Sequence, residues 1–487
     1  MSGNEGSESL FPNLRRGVLG LKEVYGQAMG VTAPLGSVVS TTTAAVVYAG
    51  AAVPLATVMA FLGSVLWIWI LTRYSNKLAS PGGYYSFSNG AYGSKKLSLF
   101  EALTEVAAYV FLNAFDAVAV YLLLEVAGTF FGITVPTAYA VLAVVFTVAY
   151  PTLISLTDVK SLMGRVVMVG STLEVLLLIG FFAYEVVEHG FPLVPFEPSA
   201  MTSGVSGLAT AFILSLVSIS GAGTATYLGE ETRVPTKTIS KGMWLALLLG
   251  GLSMILGSYA IVVGWGLTHV SSLTNSPQPL FQEIGGVSVA ALAVTVVLAL
   301  NSLLVQNIGV TVGAARILFN LAREKSAPKA FVRVKANGQP LTATLFVGLI
   351  TGLLTLISVL WLGVGGDFAV LGVPLSALWV LGRTIDTMGL PLFLKRIERV
   401  SLGVVVASVA MVALNLWGVF ETFYPPAFAA SVLMGCFGAA YMIWYRMWGS
   451  KGNAGQLVVD EDCSVVPLTH KIERLRGEKG EDRKSVV

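Results

Sequence analysis

An acidic side chain lies inside a long apolar stretch of the chain. Glu174 occurs in the segment VGSTLEVLLLIG, nine residues after the basic Arg165, which on a helix is a separation of roughly 13 Å. A carboxyl group so far from water is a candidate proton carrier. Two alternatives stay open: Glu174 ligates a sodium ion together with hydroxyl groups of the first predicted helix, or it forms a packing hydrogen bond to a neighbouring helix. Asn301 and Asn307 are polar residues in another apolar stretch and are candidates for the same proton or cation coupling.

Three further charges, at Asp116, Arg383 and Asp386, also lie in apolar stretches. Arg383 and Asp386 are three residues apart, which places them on one face of a helix, close enough to neutralise each other. The alternative is that one of them contacts a ligand or forms part of a gate, and Asp116 has the same two alternatives. Glu101 and Glu105 open an apolar stretch, and we expect them to favour the N-terminus of that helix electrostatically.

Clusters of Gly, Pro, Ser and Thr interrupt two of the apolar stretches. The first is TAPLGS, which contains Pro34 and Gly36, and the second is SISGAGT, which contains Gly221 and Gly223. A helix interrupted in this way frees main-chain N–H and C=O groups, which can bind the carboxylate and the ammonium group of a small ligand. A zwitterionic amino acid fits both ends. The alternative is that the small residues only allow close packing of helices.

The composition places these stretches in a membrane. Hydrophobic residues make up 55% of the 487 residues and charged residues 12%, and the mean hydropathy of +0.77 is far outside the range of soluble domains. Apolar runs of about twenty residues can each cross the hydrocarbon core as a helix. We predict an all-α integral membrane protein with twelve transmembrane helices, at 24–48, 51–73, 101–131, 136–156, 162–187, 206–229, 240–267, 287–321, 341–362, 368–394, 400–420 and 426–448.

The distribution of basic residues predicts the orientation of these helices. All Lys and Arg residues except Arg383 fall in or beside the inner loops if both termini are cytoplasmic, as the positive-inside rule requires. We therefore predict a multi-pass protein of the cell membrane with a cytoplasmic N-terminus (1–22) and a cytoplasmic tail (449–487). The tail is expected to be solvated and largely disordered, the alternative being a regulatory or partner-binding role. Glu230 and Glu231 end predicted helix 6 either as a solvated helix end or as an inner-gate contact.

Four segments resemble the amino acid, polyamine and organocation (APC) superfamily. They are LRRGVLGLKEVYGQAMGVTAPLG in helix 1, NKLASPGGYYSFSNGAYG after helix 2, YLGEETRVPTKTISKG at the exit of helix 6 and GAARILFNLAREKSAPKAF at the end of helix 8. The two interruptions fall in helices 1 and 6, five helices apart, which also favours inverted repeats. The resemblance implies a five-plus-five inverted repeat with broken helices 1 and 6. It implies a transporter core at 23–397, followed by helices 11 and 12 at 398–448, and secondary transport of amino acids or related amines by alternating access.

The resemblance also implies where a substrate binds. Carried over by position, the substrate-binding residues lie at the two breaks and are Ala33, Pro34, Leu35, Gly36, Ser37, Ser220, Gly221, Ala222, Gly223 and Thr224. The family often has an aromatic and then an acidic residue where this chain has Ala222 and Gly223. Without the aromatic residue the pocket should be wider or the gate should lie elsewhere, and without the acid a partner for a cationic substrate is lost. Some proton-coupled members carry a lysine near the position of Glu174.

These patterns together predict a cation-coupled amino acid transporter, with proton-coupled uptake of neutral amino acids through Glu174. Sodium coupling, or exchange of amino acids or polyamines, is the alternative within this class, and an ion channel or membrane sensor is the alternative outside it. We expect no catalysis, cofactor, metal cluster or nucleic-acid partner, because the sequence has no phosphate-binding loop or metal-ligand motif. The expected partners are an amino acid, H⁺ or Na⁺, and the lipid bilayer. The oligomeric state is left open, and a monomer is compatible with the sequence.

Overall fold

The computed structural model describes residues 14–134, 136–423 and 428–484. Four parts of the predicted organisation lie outside these residues: positions 1–13 of the cytoplasmic N-terminus, position 135 between predicted helices 3 and 4, positions 424–427, which include the first two residues of predicted helix 12, and the last three residues of the tail. The limits predicted for the terminus, the core, the last two helices and the tail stay predictions.

Helices form most of the described chain. Up to residue 189 they are α1 (Leu21–Thr32), α2 (Pro34–Ser37), α3 (Thr43–Ala49), α4 (Val53–Ser75), α5 (Tyr85–Tyr92), α6 (Lys95–Phe130), α7 (Thr137–Ile154), α8 (Val159–Ser161) and α9 (Met168–His189). From residue 204 to 444 they are α10 (Gly204–Ile219), α11 (Pro235–Trp265), α12 (Val270–Asn275), α13 (Pro279–Val287), α14 (Val289–Arg323), α15 (Leu341–Ile397), α16 (Leu402–Phe423) and α17 (Phe428–Trp444). A π-helical turn at Val38–Thr42 joins α2 to α3.

Nine helical stretches of the described residues are long and apolar enough to cross a membrane. The first, Leu21–Ser75, contains predicted helices 1 and 2 together, and α7 keeps a shorter apolar stretch at Val141–Ile154. α15 runs through predicted helices 9 and 10, but Gly363 (φ 69°, ψ 166°) interrupts the helix near the predicted boundary. The chain is thus a helical, multi-pass membrane protein, while the count of twelve spans and the inverted repeat stay predictions.

The long helices α6 and α15 form the centre of the bundle. α6 packs along α15, and α14 packs against α6. Their side chains bury large aromatic groups, among them Tyr109 and Trp379. Leu, Val and Phe side chains are exposed instead on α7, α9 and α16. An apolar exterior of this kind is suited to hydrocarbon rather than water.

Residues near both ends of the described chain contact the loop between α10 and α11. We call this side of the bundle, which contains Leu19, Glu230–Thr232 and Cys463, the terminal face. The Leu19 N–H donates to the main-chain oxygen of Glu231 at 2.9 Å. Near the other end of the chain, the Cys463 Sγ atom lies 3.4 Å from the main-chain oxygen of Thr232. The loop between α10 and α11 therefore contacts residues from both ends of the sequence.

The tail is folded, so the prediction of a largely disordered extension is wrong for residues 453–476, which we call the C-terminal segment. Strands β1 (Leu457–Val459) and β2 (Val465–Pro467) pair as an antiparallel hairpin, and α18 (Leu468–Lys484) follows. The Val459 N–H donates to the main-chain oxygen of Ala79 at 2.8 Å. Lys471 binds Asp460 at 2.8 Å, which ties α18 back to the hairpin. Hydrogen bonds to the bundle supply the order that the polar composition does not predict.

Glu324, which directly follows α14, is the main attachment point of the C-terminal segment. Its carboxylate accepts hydrogen bonds from the N–H groups of Gly455 and Leu457, each at 2.9 Å, and from the Tyr85 hydroxyl at 3.0 Å. Burial raises the pKa of Glu324 to about 7, and these donors together with Arg323 oppose that rise without cancelling it. Because the C-terminal segment covers Glu324, its carboxyl group binds a proton more readily when the segment is docked.

We predict that the C-terminal segment is held more firmly in acid than in alkali. The pKa of Glu324 is about 7 when covered, against an ordinary 4.5. Protonation therefore stabilises docking fully below the ordinary pKa, and this contribution is lost as the pH rises through 7. Distances between spin labels at Lys96→Cys and Glu473→Cys, in a variant without the native cysteines, should show a docked fraction that falls between pH 6 and pH 8. Glu324→Ala should remove the pH dependence, and a docked fraction that is constant with intact Glu324 would contradict the prediction.

Candidate functional site

The first helical interruption lies where the sequence predicts it. α1 ends at Thr32, Ala33 has a left-handed conformation (φ 38°, ψ 71°), and α2 begins at Pro34. Proline suits a helix start because its missing N–H would have no partner there, whereas the left-handed backbone is strained for alanine. The first N–H groups of α2 consequently have no partner within the helix.

Two side chains from other helices bind these free N–H groups. The Gly36 N–H donates to Ser302 Oγ at 2.8 Å, and the Leu35 N–H points to Glu174 Oε2 at 3.4 Å. The Ser302 hydroxyl donates in turn to Glu174 Oε2 at 2.6 Å. All four residues are buried. We call them the Glu174 group, and they link α2, α9 and α14.

The predicted coupling residues on α14 differ in their surroundings. The Asn301 side chain packs against α9, where a Cβ atom at Gly170 would come within 2.5 Å of its Nδ2 atom. Asn307 is buried, and within the described part of the chain neither polar atom of its side chain has a hydrogen-bond partner. Sequence reasoning does not single out Ser302, whose only signal is its place beside Asn301 in an apolar stretch.

The carbonyl groups before the break also have side-chain partners. Gln306 Nε2 donates to the main-chain oxygen of Val31 at 3.2 Å, and Ser37 Oγ donates to that of Thr32 at 2.7 Å. A free carbonyl group in an apolar environment costs several kcal/mol unless it is hydrogen-bonded. The break is therefore stabilised on both sides by specific side chains.

The second predicted interruption is a tightened helix rather than a gap. α10 ends at Ile219, and Ser220–Leu228 continues as a 3₁₀ helix. Thr224 Oγ1 donates to the main-chain oxygen of Gly221 at 2.8 Å. A Cβ atom at Gly221 would lie only 3.0 Å from the main-chain carbon of Val31. The absence of a side chain at Gly221 thus lets the second interruption pack against the end of α1, directly before the first. The ten predicted substrate-binding residues lie in two adjoining segments.

Aromatic side chains from neighbouring helices surround the stretch where the chain has Ala222 and Gly223. Trp379 Nε1 donates to Ser220 Oγ at 2.8 Å, and its ring meets Tyr109 edge-on with 5.2 Å between centroids. A Cβ atom at Gly223 would lie 2.4 Å from the Tyr84 hydroxyl oxygen. These rings occupy the space that a larger residue at Gly223 would need. The sequence alone does not show that α15 supplies an aromatic ring here.

The ion pair of Arg383 forms with Glu105, so the predicted pairing with Asp386 is wrong. Arg383 Nη1 lies 3.2 Å from Glu105 Oε1, and Arg383 Cζ lies 4.0 Å from the centroid of the Trp379 ring. The expected role of Glu105 at a helix N-terminus is also wrong, because α6 begins at Lys95 and Glu105 is buried against α15. Arg383 pairs with Glu105 on another helix rather than with Asp386 on its own helix. The reason is that the close packing of α6 and α15 brings the Arg383 and Glu105 side chains together.

Three more carboxyl groups are fully buried in the bundle, at Glu101, Asp116 and Asp386. Glu101 and Asp386 adjoin each other, close enough for a hydrogen bond between their carboxyl groups. A hydrogen bond between two carboxyl groups requires that one of them carries a proton. Asp116 lies beside Ser40 in the π-helical turn that follows α2.

Two buried ion pairs lie on the terminal face. Arg323 Nη1 lies 2.6 Å from Glu230 Oε2, and Arg316 Nη2 lies 2.7 Å from Glu231 Oε2, with every side chain at most 2% exposed. The alternative of a solvated helix end for the two glutamates is therefore wrong, because α14 covers them. Burial raises the pKa of Glu231, and Arg316 opposes that rise. Removing one partner of such a pair leaves an uncompensated buried charge, which is strongly destabilising.

These features narrow the class of protein. A multi-pass helical bundle with a broken helix, whose freed main-chain groups are bound by buried side chains, has the kind of interruption at which membrane transporters form ligand sites. The chain belongs to the amino acid permease family, whose family model matches residues 23–425. The resemblance of four sequence segments to the APC superfamily is thereby confirmed.

Curated relatives agree with this family over part of their length. The chain is 28% identical over 185 residues to an uncharacterized amino-acid permease of Schizosaccharomyces pombe, 27% over 212 residues to the amino-acid permease GAP5 of Candida albicans, and 30% over 164 residues to the histidine permease HisP of Lactococcus lactis. These alignments cover 35%, 40% and 31% of this chain, and in each case 34% of the relative. The chain thus matches about a third of the length of these proteins.

Gly221→Ala should destabilise the bundle, because the added methyl group would press on the main chain of Val31. Overpacking of this kind costs about 1–3 kcal/mol. The loss should appear as a lower midpoint of thermal unfolding in detergent. Gly435→Ala is the matched control, since a Cβ atom there would meet nothing within 4 Å, and its midpoint should be unchanged or higher. Equal midpoints for the two variants would show that Gly221 does not pack tightly against the end of α1.

Proposed function

We propose that the protein is a secondary active transporter that carries amino acids across the cell membrane by alternating access, with both termini in the cytoplasm. The observation that carries this proposal is the Glu174 group, because it joins the broken helix to α9 and α14 through one carboxyl group. A break stabilised by side chains from two other helices can be released when those side chains move. Membership of the amino acid permease family and the names of the curated relatives support the same substrate class.

Coupling to protons through Glu174 is the proposed energy source. Adding or removing one proton changes the charge that faces the Leu35 N–H and the Ser302 hydroxyl, and so changes the stability of the break. Sodium ligation by Glu174 with helix-1 hydroxyls is the alternative, and most of these hydroxyls already donate hydrogen bonds within helix 1. The Ser37 and Ser40 hydroxyls donate to the main-chain oxygens of Thr32 and Gly36, and the Thr41 hydroxyl is engaged with Ser37 and Ser218.

Neutral amino acids are the proposed substrates. The two interruptions contain no ionisable side chain, and the charges beyond the Trp379 ring include the Arg383–Glu105 pair, which is neutral as a unit. A cationic side chain would therefore find no free acid within the interruptions themselves. Sodium-coupled transport or exchange of amino acids or polyamines is the alternative. The Lactococcus lactis relative is named a histidine permease, so histidine belongs in any substrate panel.

Glu174→Gln should abolish accumulation driven by a pH gradient, because the amide cannot release a proton. In proteoliposomes with an imposed pH gradient, uptake of labelled amino acid should fall at least tenfold, while exchange of internal for external substrate should persist. Glu188→Gln is the control, since Glu188 is an exposed carboxyl group on the same helix, and it should leave uptake unchanged. Undiminished gradient-driven accumulation in Glu174→Gln would contradict proton coupling through this residue. A requirement for sodium instead would favour the alternative.

Leucine should compete with labelled substrate better than arginine or a polyamine does. The interruptions themselves carry no acid, and the neighbouring Glu174 is already bound by the Leu35 N–H and the Ser302 hydroxyl. A desolvated cation there would therefore lack a free acidic partner, and an unpaired buried charge is costly. Competition at equal concentrations in the same proteoliposomes measures this order, with histidine included at a pH where its side chain is neutral. Stronger competition by arginine or a polyamine would reject the neutral class.

A further inference from the structure

The C-terminal segment contacts both sides of the ion pairs on the terminal face. Glu324, which binds the N–H groups of Gly455 and Leu457, directly follows Arg323. Thr232, whose main-chain oxygen contacts Cys463, directly follows Glu231. Glu324 therefore adjoins the arginine of one ion pair, and Thr232 adjoins the glutamate of the other. Residues 455–463 join these two positions.

The same segment is also attached to the region between α4 and α6. Asn89 Nδ2 donates to the main-chain oxygen of Ala454 at 3.1 Å, and Val459 pairs with Ala79 as an antiparallel bridge. Gly455 has a φ of 79°, and a Cβ atom there would lie 2.7 Å from the Cβ atom of Asn89. The docking surface therefore fits a glycine-containing extended chain closely, and its occupant is the protein's own C-terminal segment.

Opening of the terminal face requires these attachments to change. Separation of Glu230 from Arg323, or of Glu231 from Arg316, moves the loop at Thr232 away from the end of α14. The connection from Leu457 to Cys463 comprises strand β1 and the turn after it, in which the Cys463 N–H donates to the main-chain oxygen of Asp460 at 3.0 Å. It cannot lengthen without losing these hydrogen bonds. The segment must consequently leave Glu324 or Thr232 when the two sides move apart.

We propose that the C-terminal segment is a clamp that keeps the terminal face closed and must detach before that face opens. This inference rests on the proposed alternating access. It assigns the tail a function in the transport cycle that the amino acid permease match, which ends at residue 425, does not cover.

The test is a reversible cross-link between the clamp and the bundle. In a Cys436→Ser, Cys463→Ser background, Ala79→Cys and Val459→Cys lie at paired positions of an antiparallel bridge, whose Cα atoms are about 5 Å apart and suit a disulfide. Oxidation should lower amino acid uptake by proteoliposomes at least tenfold, and a reducing agent should restore it. Hydrogen exchange of the main-chain amides at 228–233 should also slow at least tenfold on oxidation.

The matched control is Val458→Cys with Val466→Cys, which joins the two strands of the hairpin and leaves the segment free to leave the bundle. Oxidation of this control should change neither amino acid uptake nor hydrogen exchange at 228–233. In the opposite direction, Glu324→Ala should accelerate exchange at 228–233 several-fold, whereas Glu473→Ala, at an exposed position of α18, should not.

Two outcomes would overturn the clamp. In the first, the protein with the oxidised Ala79–Val459 cross-link shows the same hydrogen exchange at 228–233 and the same uptake as the reduced protein. In the second, Glu324→Ala leaves the hydrogen exchange at 228–233 unchanged. Failure of the proposed function is distinguishable from both. If the reduced protein takes up no amino acid, the transport proposal fails, while the exchange measurements still decide whether the C-terminal segment holds the terminal face closed.

Discussion

The requirement that main-chain polar groups be hydrogen-bonded inside an apolar medium governs this structure. Ala33 interrupts the first helix and frees N–H groups that neither lipid nor the helix can satisfy. Ser302 and Glu174 accept them, and Gln306 serves the carbonyl group on the other side of the break. Because the break needs partners from α9 and α14, its stability depends on the relative positions of these two helices. This dependence connects a carboxyl group on α9 to the geometry of the break.

The apolar medium also explains why the buried charged side chains form ion pairs. Glu230 and Glu231 lie at the end of a membrane-spanning stretch, where water is the expected neighbour, yet arginines from α14 cover both. Buried ion pairs are poor sources of net stability compared with apolar packing, but they are costly to break by removing one partner. Under the proposed alternating access, they suit an interface that closes in one state and opens in another. The C-terminal segment lies across this interface and adds hydrogen bonds on both sides of it.

Several elements of this arrangement were predictable from local pattern. Pro34 and Gly36 within an apolar run indicate a break because proline cannot continue the helix ladder and glycine relaxes the backbone. Glu174 stands out because a lone acid among apolar residues needs a reason. By contrast, nothing local distinguishes Ser302 from other serines, and the pairing of Arg383 with Glu105 joins residues far apart in sequence. The helical spacing of Arg383 and Asp386 suggested a pair, but spacing along one helix carries no information on a closer acid on another.

The sequence by itself determined the membrane environment, the broken first helix, the isolated acid on α9 and the family, because these depend on composition, periodicity and short motifs. The tertiary structure alone decided which groups meet: Glu174 with Ser302, Arg383 with Glu105, Trp379 with Ser220, and the folded tail with Glu324. The physical reason is that hydrogen bonds and ion pairs act over a few ångströms between side chains brought together by helix packing. A polar segment such as 453–476 looks disordered by composition, and it becomes ordered only because the bundle offers it donors and acceptors at matching positions.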